Sequence, residues 1–85
     1  MVEIKYVILT KSFKHSIKKM KDASLKERIR KQVEKAANSP EVGKELRYEL
    51  KGMRALYVKP FRIIYKIEGD RLILLKFEHR ESAYE

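Results

Sequence analysis

The sequence predicts an α+β domain: an N-terminal strand, a helical hairpin, then a three-stranded antiparallel meander completing a four-stranded sheet. Three observations carry that reading. The hydrophobic period is helical up to about residue 38 and becomes alternating from Glu45 onward. Cap, proline and glycine signals fall between the periodic stretches. At 85 residues, with no repeat and no low-complexity linker, the chain has room for a single domain (residues 1–85) and a single core.

Val2 to Leu9 reads as a strand, with Val2, Ile4, Tyr6 and Ile8 alternating against Glu3 and Lys5. Its apolar patch is too short for a membrane span, and no small-residue cleavage site follows it, so a first strand is expected rather than a signal peptide. Thr10 or Ser12 caps the next element, because either hydroxyl accepts from a free N–H of a first helical turn. Phe13, Ile17 and Met20 recur at helical spacing and leave Lys11, Lys14, Lys18 and Lys19 toward solvent. Lys21-Asp22-Ala23 breaks the pattern, and Ser24-Leu25-Lys26-Glu27 reads as a capping box. The second helix carries Leu25, Ile29, Val33 and Ala36 or Ala37 on one stripe and stops at Asn38-Ser39-Pro40. Two antiparallel helices joined by a short turn follow from this spacing.

Beyond Glu45, Leu46, Tyr48 and Leu50 alternate with Arg47, Glu49 and Lys51, and Gly52 ends that strand. Ala55 to Lys59 reads as a short strand and Pro60 as a tight turn or edge position. Phe61 to Ile67 is a strand, Glu68-Gly69-Asp70 a hairpin loop and Leu72 to Glu78 the returning strand. A three-residue loop sets Phe61 against Phe77, Ile63 against Leu75 and Tyr65 against Ile73, on the apolar face under the helices. Arg62 then lies opposite Lys76 on the other face, with Ile64, Lys66, Leu72 and Leu74. Ile64, Leu72 and Leu74 make that face half apolar, and an exposed apolar strip rimmed with charge marks a partner surface. The C-terminal tail or a second copy of the chain are the alternative covers.

Charge points to the class of partner. Twenty-one Lys and Arg against twelve Asp and Glu give a formal +9 and a pI of 9.9. Phosphate backbones bind such surfaces by counterion release, so nucleic acid leads, ahead of an acidic protein or an anionic membrane. A heavily charged thermophile surface explains the 39% charged residues but not the imbalance. There is no cysteine, which excludes a disulfide or thiolate site and is compatible with a reducing, cytoplasmic location. His15 and His79 lie far apart, so no metal site is expected.

The same register carries His79, Arg80 and Tyr84 toward the start of the Arg62 strand, and Lys59 and Arg54 approach that end. Guanidinium forks match phosphate oxygens and stabilise charge developing in phosphoryl transfer, while histidine or tyrosine moves protons. Each residue also has a structural reading: Arg62 paired with Glu78, His79 a satisfied structural histidine, Tyr84 packing down the chain end. Convergence at one rim favours a phosphodiester site.

Three stretches resemble the RelE/ParE toxin family. Leu46 to Met53 (LRYELKGM) looks like its LKG strand and turn, and Pro60-Phe61-Arg62-Ile63-Ile64-Tyr65 is similar to its arginine-bearing strand. Glu78-His79-Arg80-Glu81-Ser82-Ala83-Tyr84 looks like its C-terminal ending. Their order and spacing after two amphipathic helices cover nearly the whole chain. The resemblance implies a toxin paired with an antitoxin, and in RelE-like members a ribosome-dependent endonuclease. Such members cut mRNA without metal or other cofactor, by turning a ribose 2′-hydroxyl on the adjacent phosphate. On that pattern Arg62 would stabilise the phosphorane, Arg80 would neutralise phosphate or assist the leaving oxygen, and Tyr84 would stack on a base. Arg54 and Lys76 are expected to contact nucleic acid. The general base stays open between Lys59, on a hairpin shorter than RelE's, and His79, whose imidazole titrates near neutrality. Expected partners are an acidic antitoxin segment lying on Ile64, Leu72 and Leu74, and the ribosome with bound mRNA, with no membrane and no small-molecule cofactor. A ParE-like gyrase inhibitor and a non-catalytic basic binding module are the competing functions.

Overall fold

The computed structural model describes residues 3–79. Strand β1 (Tyr6–Leu9) leads into helix α1 (Lys11–Lys18), and a short turn separates it from helix α2 (Ala23–Asn38). A 3-10 turn at Pro40–Val42, a two-residue strand β2 (Lys44–Glu45) and a second 3-10 turn at Tyr48–Leu50 follow. Three longer strands finish the fold: β3 (Met53–Val58), β4 (Phe61–Glu68) and β5 (Arg71–His79). They form a five-stranded sheet in the order β1-β5-β4-β3-β2. Among the described residues only β1 pairs in parallel, with β5, and the other pairings are antiparallel.

Each helix starts where a side chain replaces a missing acceptor. Thr10 Oγ1 accepts from the Phe13 N–H (3.3 Å) and lies 2.9 Å from the Leu74 carbonyl and 3.2 Å from that of Leu75. One hydroxyl therefore starts α1 and ties it to β5. At α2 the cap is Asp22, whose Oδ1 accepts from the Leu25 N–H at 3.1 Å. The expected Ser24–Glu27 capping box does not form, because α2 already begins at Ala23 and Glu27 faces solvent, bonded to Arg30. Phe13, Leu25, Ile29 and Ala36 bury the helical stripes against Leu56, Val58, Ile63, Tyr65, Leu72 and Leu74 of the sheet.

Two expectations about the sheet are corrected. The alternation of Leu46, Tyr48 and Leu50 is not a strand: Tyr48 has φ 59° and is 91% exposed, and the backbone coils through the turn at Tyr48–Leu50. Alternation of apolar residues alone does not distinguish an edge strand from a turn that exposes every second side chain. The β4–β5 hairpin turns on two residues, Gly69 and Asp70, so Glu68 faces Arg71, Ile67 faces Leu72 and Tyr65 faces Leu74. A bulge then shifts the register between Ile64 and Tyr65, giving Ile64–Lys76, Ile63–Phe77 and Arg62–Glu78.

A one-residue change of register moves side chains to the other face. Leu72 (0% exposed) and Leu74 (1%) consequently lie beneath the helices, and Ile64 (1%), on the opposite face, is equally inaccessible. The exposed strip of Ile64, Leu72 and Leu74 is overturned. The bulge restores the original phase beyond Leu75, so Phe61, Ile63 and Phe77 sit on the helix side as the alternation predicts.

Candidate functional site

The sheet has one face under the helices and an opposite, open face on which Ile64 and Ala55 are nonetheless buried, and register assigns residues to each. On the open face the pairings form rows across strands: Tyr57–Arg62–Glu78, then Ala55–Ile64–Lys76, then Met53–Lys66–Ile73–Ile8. Arg62, Lys66 and Lys76 thus share one surface, with the row of Arg62 nearest the β3–β4 turn. Lys76 is exposed, whereas the Arg62 side chain is only 11% exposed. Among the described residues its polar contact runs from Nη2 to Glu78 Oε2 at 3.4 Å, a long and single-pronged ion pair. Arg62 Nε is buried and has no hydrogen-bond partner among the described residues. An ionised guanidinium with an unspent buried donor is energetically costly, and such groups mark strain or function.

The other expected site residues fall in different places. His79 pairs with Phe61, and their rings meet edge to face with centroids 5.3 Å apart. Phe61 stacks on Phe77 at 4.8 Å and packs against the core, so His79 belongs to the helix side of the sheet and Arg62 to the open side. His79 therefore stands at the expected rim, beside the start of the Arg62 strand, but on the other face of the sheet from Arg62. Arg54 pairs with Tyr65 on the helix side. Its guanidinium donates to the carbonyls of Gly43 (2.8 Å) and Glu41 (3.2 Å) and lies 3.7 Å from Glu45. Arg54 braces the segment before β3 and does not join the Arg62 row. Lys59 is exposed in the β3–β4 turn, where its carbonyl accepts from Arg28 of α2 at 2.9 Å. Arg80 and Tyr84 lie outside the described residues.

A residue passed over as a mere ion-pair partner, Glu78, is the acidic group brought to Arg62. A two-residue loop and a bulge were needed to see it as the cross-strand neighbour, and neither has an unambiguous sequence signal. The second feature missed is a groove between β1 and the helices, about 260 Å³ in volume, lined by Val7, Leu9, Phe13, Ile17, Ile29 and Val33. Lys26 and Arg30 stand at its margin. All four residues of β1 are exposed, from 36% at Ile8 to 57% at Tyr6, and nothing among the described residues pairs with the outer edge of β1. An unprotected apolar edge strand is a liability that proteins ordinarily cover.

No described group of three or more His, Cys, Asp or Glu side chains is placed to hold a metal ion. Among the described residues no helix is long and apolar enough to cross a membrane.

Comparison with known proteins places this geometry. The family model for the ParE toxin of type II toxin–antitoxin systems matches residues 7–84. No curated protein sequence matches the chain. Among solved structures, the toxin–antitoxin complex RelBE2 from Mycobacterium tuberculosis matches at 24% identity and TM-score 0.75, over 88% of this chain and 96% of that one. The RelB–RelE antitoxin–toxin complex from Methanococcus jannaschii matches at 21% identity and TM-score 0.68, covering 91% and 94%. A mutant of E. coli RelE in the free state matches at 10% identity and TM-score 0.77, covering 99% and 90%. These likenesses establish a shared fold, and the family match spans almost the whole chain. The chain belongs to the RelE/ParE toxin family, as a toxin of a type II toxin–antitoxin system.

Proposed function

We propose that this toxin is a metal-independent mRNA endonuclease acting in the ribosome, by attack of a ribose 2′-hydroxyl on the adjacent phosphate. The observation that carries the reading is Arg62, a nearly buried guanidinium with an unspent Nε donor on the open, basic face of the sheet. Its free donor suits a phosphoryl oxygen gaining charge in the transition state, where a preorganised donor acts most strongly. Lys76 and Lys66, one and two rows away, suit the flanking phosphates. Arg80 and Tyr84 keep the roles that the resemblance implies, phosphate neutralisation and base stacking.

Its inhibitor is proposed to be an acidic antitoxin segment. The apolar groove beside β1, with Lys26 among its lining residues, suits an amphipathic segment that orders on binding. Two of the structurally similar proteins are toxin–antitoxin complexes, which supports a partner of that kind.

Induced expression followed by transcript-end mapping tests the reading. Translated mRNA should acquire new ends within codons, and Arg62→Ala should slow cleavage on the order of a hundredfold or more. Growth arrest with intact transcripts and an Arg62→Ala variant as toxic as wild type would falsify it. The ParE family match favours a second reading, inhibition of DNA gyrase by binding. Induced DNA-damage signalling without mRNA cleavage is the outcome that selects it.

A further inference from the structure

Resting on the endonuclease reading, we infer that Glu78 is the general base of this site. Two-oxygen chemistry at one phosphorus sets a strict requirement. The base must reach the 2′-oxygen while the cation reaches a non-bridging oxygen of the same phosphate, each at roughly 2.6–3.2 Å. The two protein groups must therefore stand a few ångströms apart on one surface.

Glu78 meets that requirement, and His79 does not. Its carboxylate oxygen lies 3.4 Å from Arg62 Nη2, and the two residues are paired across β4 and β5 on the open face. His79, the next residue, pairs with Phe61 on the helix side, so the sheet stands between its ring and Arg62. Lys59 lies in an exposed turn two residues before β4 begins. Glu78 is also partly accessible, its side chain 27% exposed against 11% for Arg62, so a substrate oxygen can reach it.

The pair is loose where a purely structural ion pair is usually bidentate. A single 3.4 Å contact leaves the second carboxylate oxygen available and Arg62 Nε unspent. A phosphate that takes Nη2 of Arg62 exchanges one anion for another at the guanidinium. Glu78 is thereby released toward the 2′-hydroxyl beside that phosphate.

The step balances without a co-reactant other than water. Glu78 takes the 2′-hydroxyl proton as the 2′-oxygen forms a bond to phosphorus. The bond from phosphorus to the 5′-oxygen breaks, its electron pair stays on that oxygen, and water protonates it. Glu78 returns its proton to solvent. The products are a 2′,3′-cyclic phosphate and a 5′-hydroxyl end.

Single-turnover cleavage of mRNA programmed into purified ribosomes tests the assignment with wild type, Glu78→Gln, Glu78→Asp and the double variant Glu78→Gln/Arg62→Ala. Glu78→Gln should lower the cleavage rate on the order of a hundredfold. Ribosome binding should stay within about threefold of wild type. Glu78→Asp should recover part of the rate, and adding Arg62→Ala to Glu78→Gln should slow cleavage further. Cleavage by Glu78→Gln within about threefold of wild type overturns the inference. So does a slow Glu78→Gln enzyme that Arg62→Ala slows no further, because Glu78 would then only position Arg62. A wild-type protein that cuts nothing removes the endonuclease reading itself, an outcome distinct from an active wild type indifferent to Glu78.

Discussion

Tyr65 shows how much one polar atom contributes in a small core. Its ring is fully buried, and its hydroxyl donates to the Pro40 carbonyl at 2.8 Å and accepts from the Gly43 N–H at 3.0 Å. The ring also occupies the space a side chain at Gly43 would need, since a Cβ there would fall 2.5 Å from the hydroxyl. Removing the hydroxyl leaves both backbone groups buried and unpaired, so Tyr65→Phe should cost about 1–3 kcal/mol in urea unfolding. Burial pushes the Tyr65 phenol above its usual value of about 10, while the Gly43 N–H and the Arg54 charge partly oppose the rise. A folded-state value raised in this way contributes stability below the unfolded value and loses it as pH rises through the folded one. Wild type should therefore weaken in the alkaline range above about pH 10, more steeply than Tyr65→Phe, as pH-dependent melting would record.

At the scale of elements, caps and a bulge decide where the chain's polarity goes. Asp22, rather than Ser24, satisfies the first turn of α2. Asp22→Ala should cost about 1 kcal/mol and Ser24→Ala less than about 0.5 kcal/mol, a difference readable in denaturation midpoints. The β5 bulge matters more for function. By reversing the facing of residues on either side of Leu75, it buries Leu72 and Leu74 and yet leaves Lys76 and Glu78 on the open face. Thr10 bonds to the carbonyls of Leu74 and Leu75, so the first helix is anchored at the same irregularity.

At the scale of the whole molecule, the proposed partners follow from charge and from the open edge of β1. The excess of nine positive charges is spread over the surface, but Arg62, Lys66 and Lys76 share the open sheet face. If those three contact phosphates, single-stranded RNA binding should follow a log–log salt slope near about −2, and Lys66→Ala with Lys76→Ala should bring it to about −0.7. Fluorescence anisotropy between 50 and 200 mM salt measures this, and an unchanged slope would place the contacts elsewhere. On the other side of the fold, Leu9 is 38% exposed and lines the apolar groove. Leu9→Glu should weaken binding of an acidic antitoxin segment about tenfold or more, with little loss of melting temperature. Equal affinity by calorimetry would remove that groove as the docking surface.

Periodicity alone determined the class of the fold, the two helices and the burial of Phe13, Leu25 and Ile29, and the charge excess set the expectation of an anionic partner. Those properties depend on residues close in the chain or on composition, where spacing translates directly into a face. The resemblance of the Arg62 strand to a toxin family was likewise carried by contiguous residues. Tertiary structure alone decided which charges meet. Whether Leu72 is core or surface, and whether Arg62 finds Lys76 or Glu78 across the hairpin, turns on one residue of loop length and one bulge. A strand alternates with a period of two, so a single residue of register exchanges its faces. The predicted α+β architecture therefore survived a register shift that removed the expected apolar strip and brought Glu78 to the arginine.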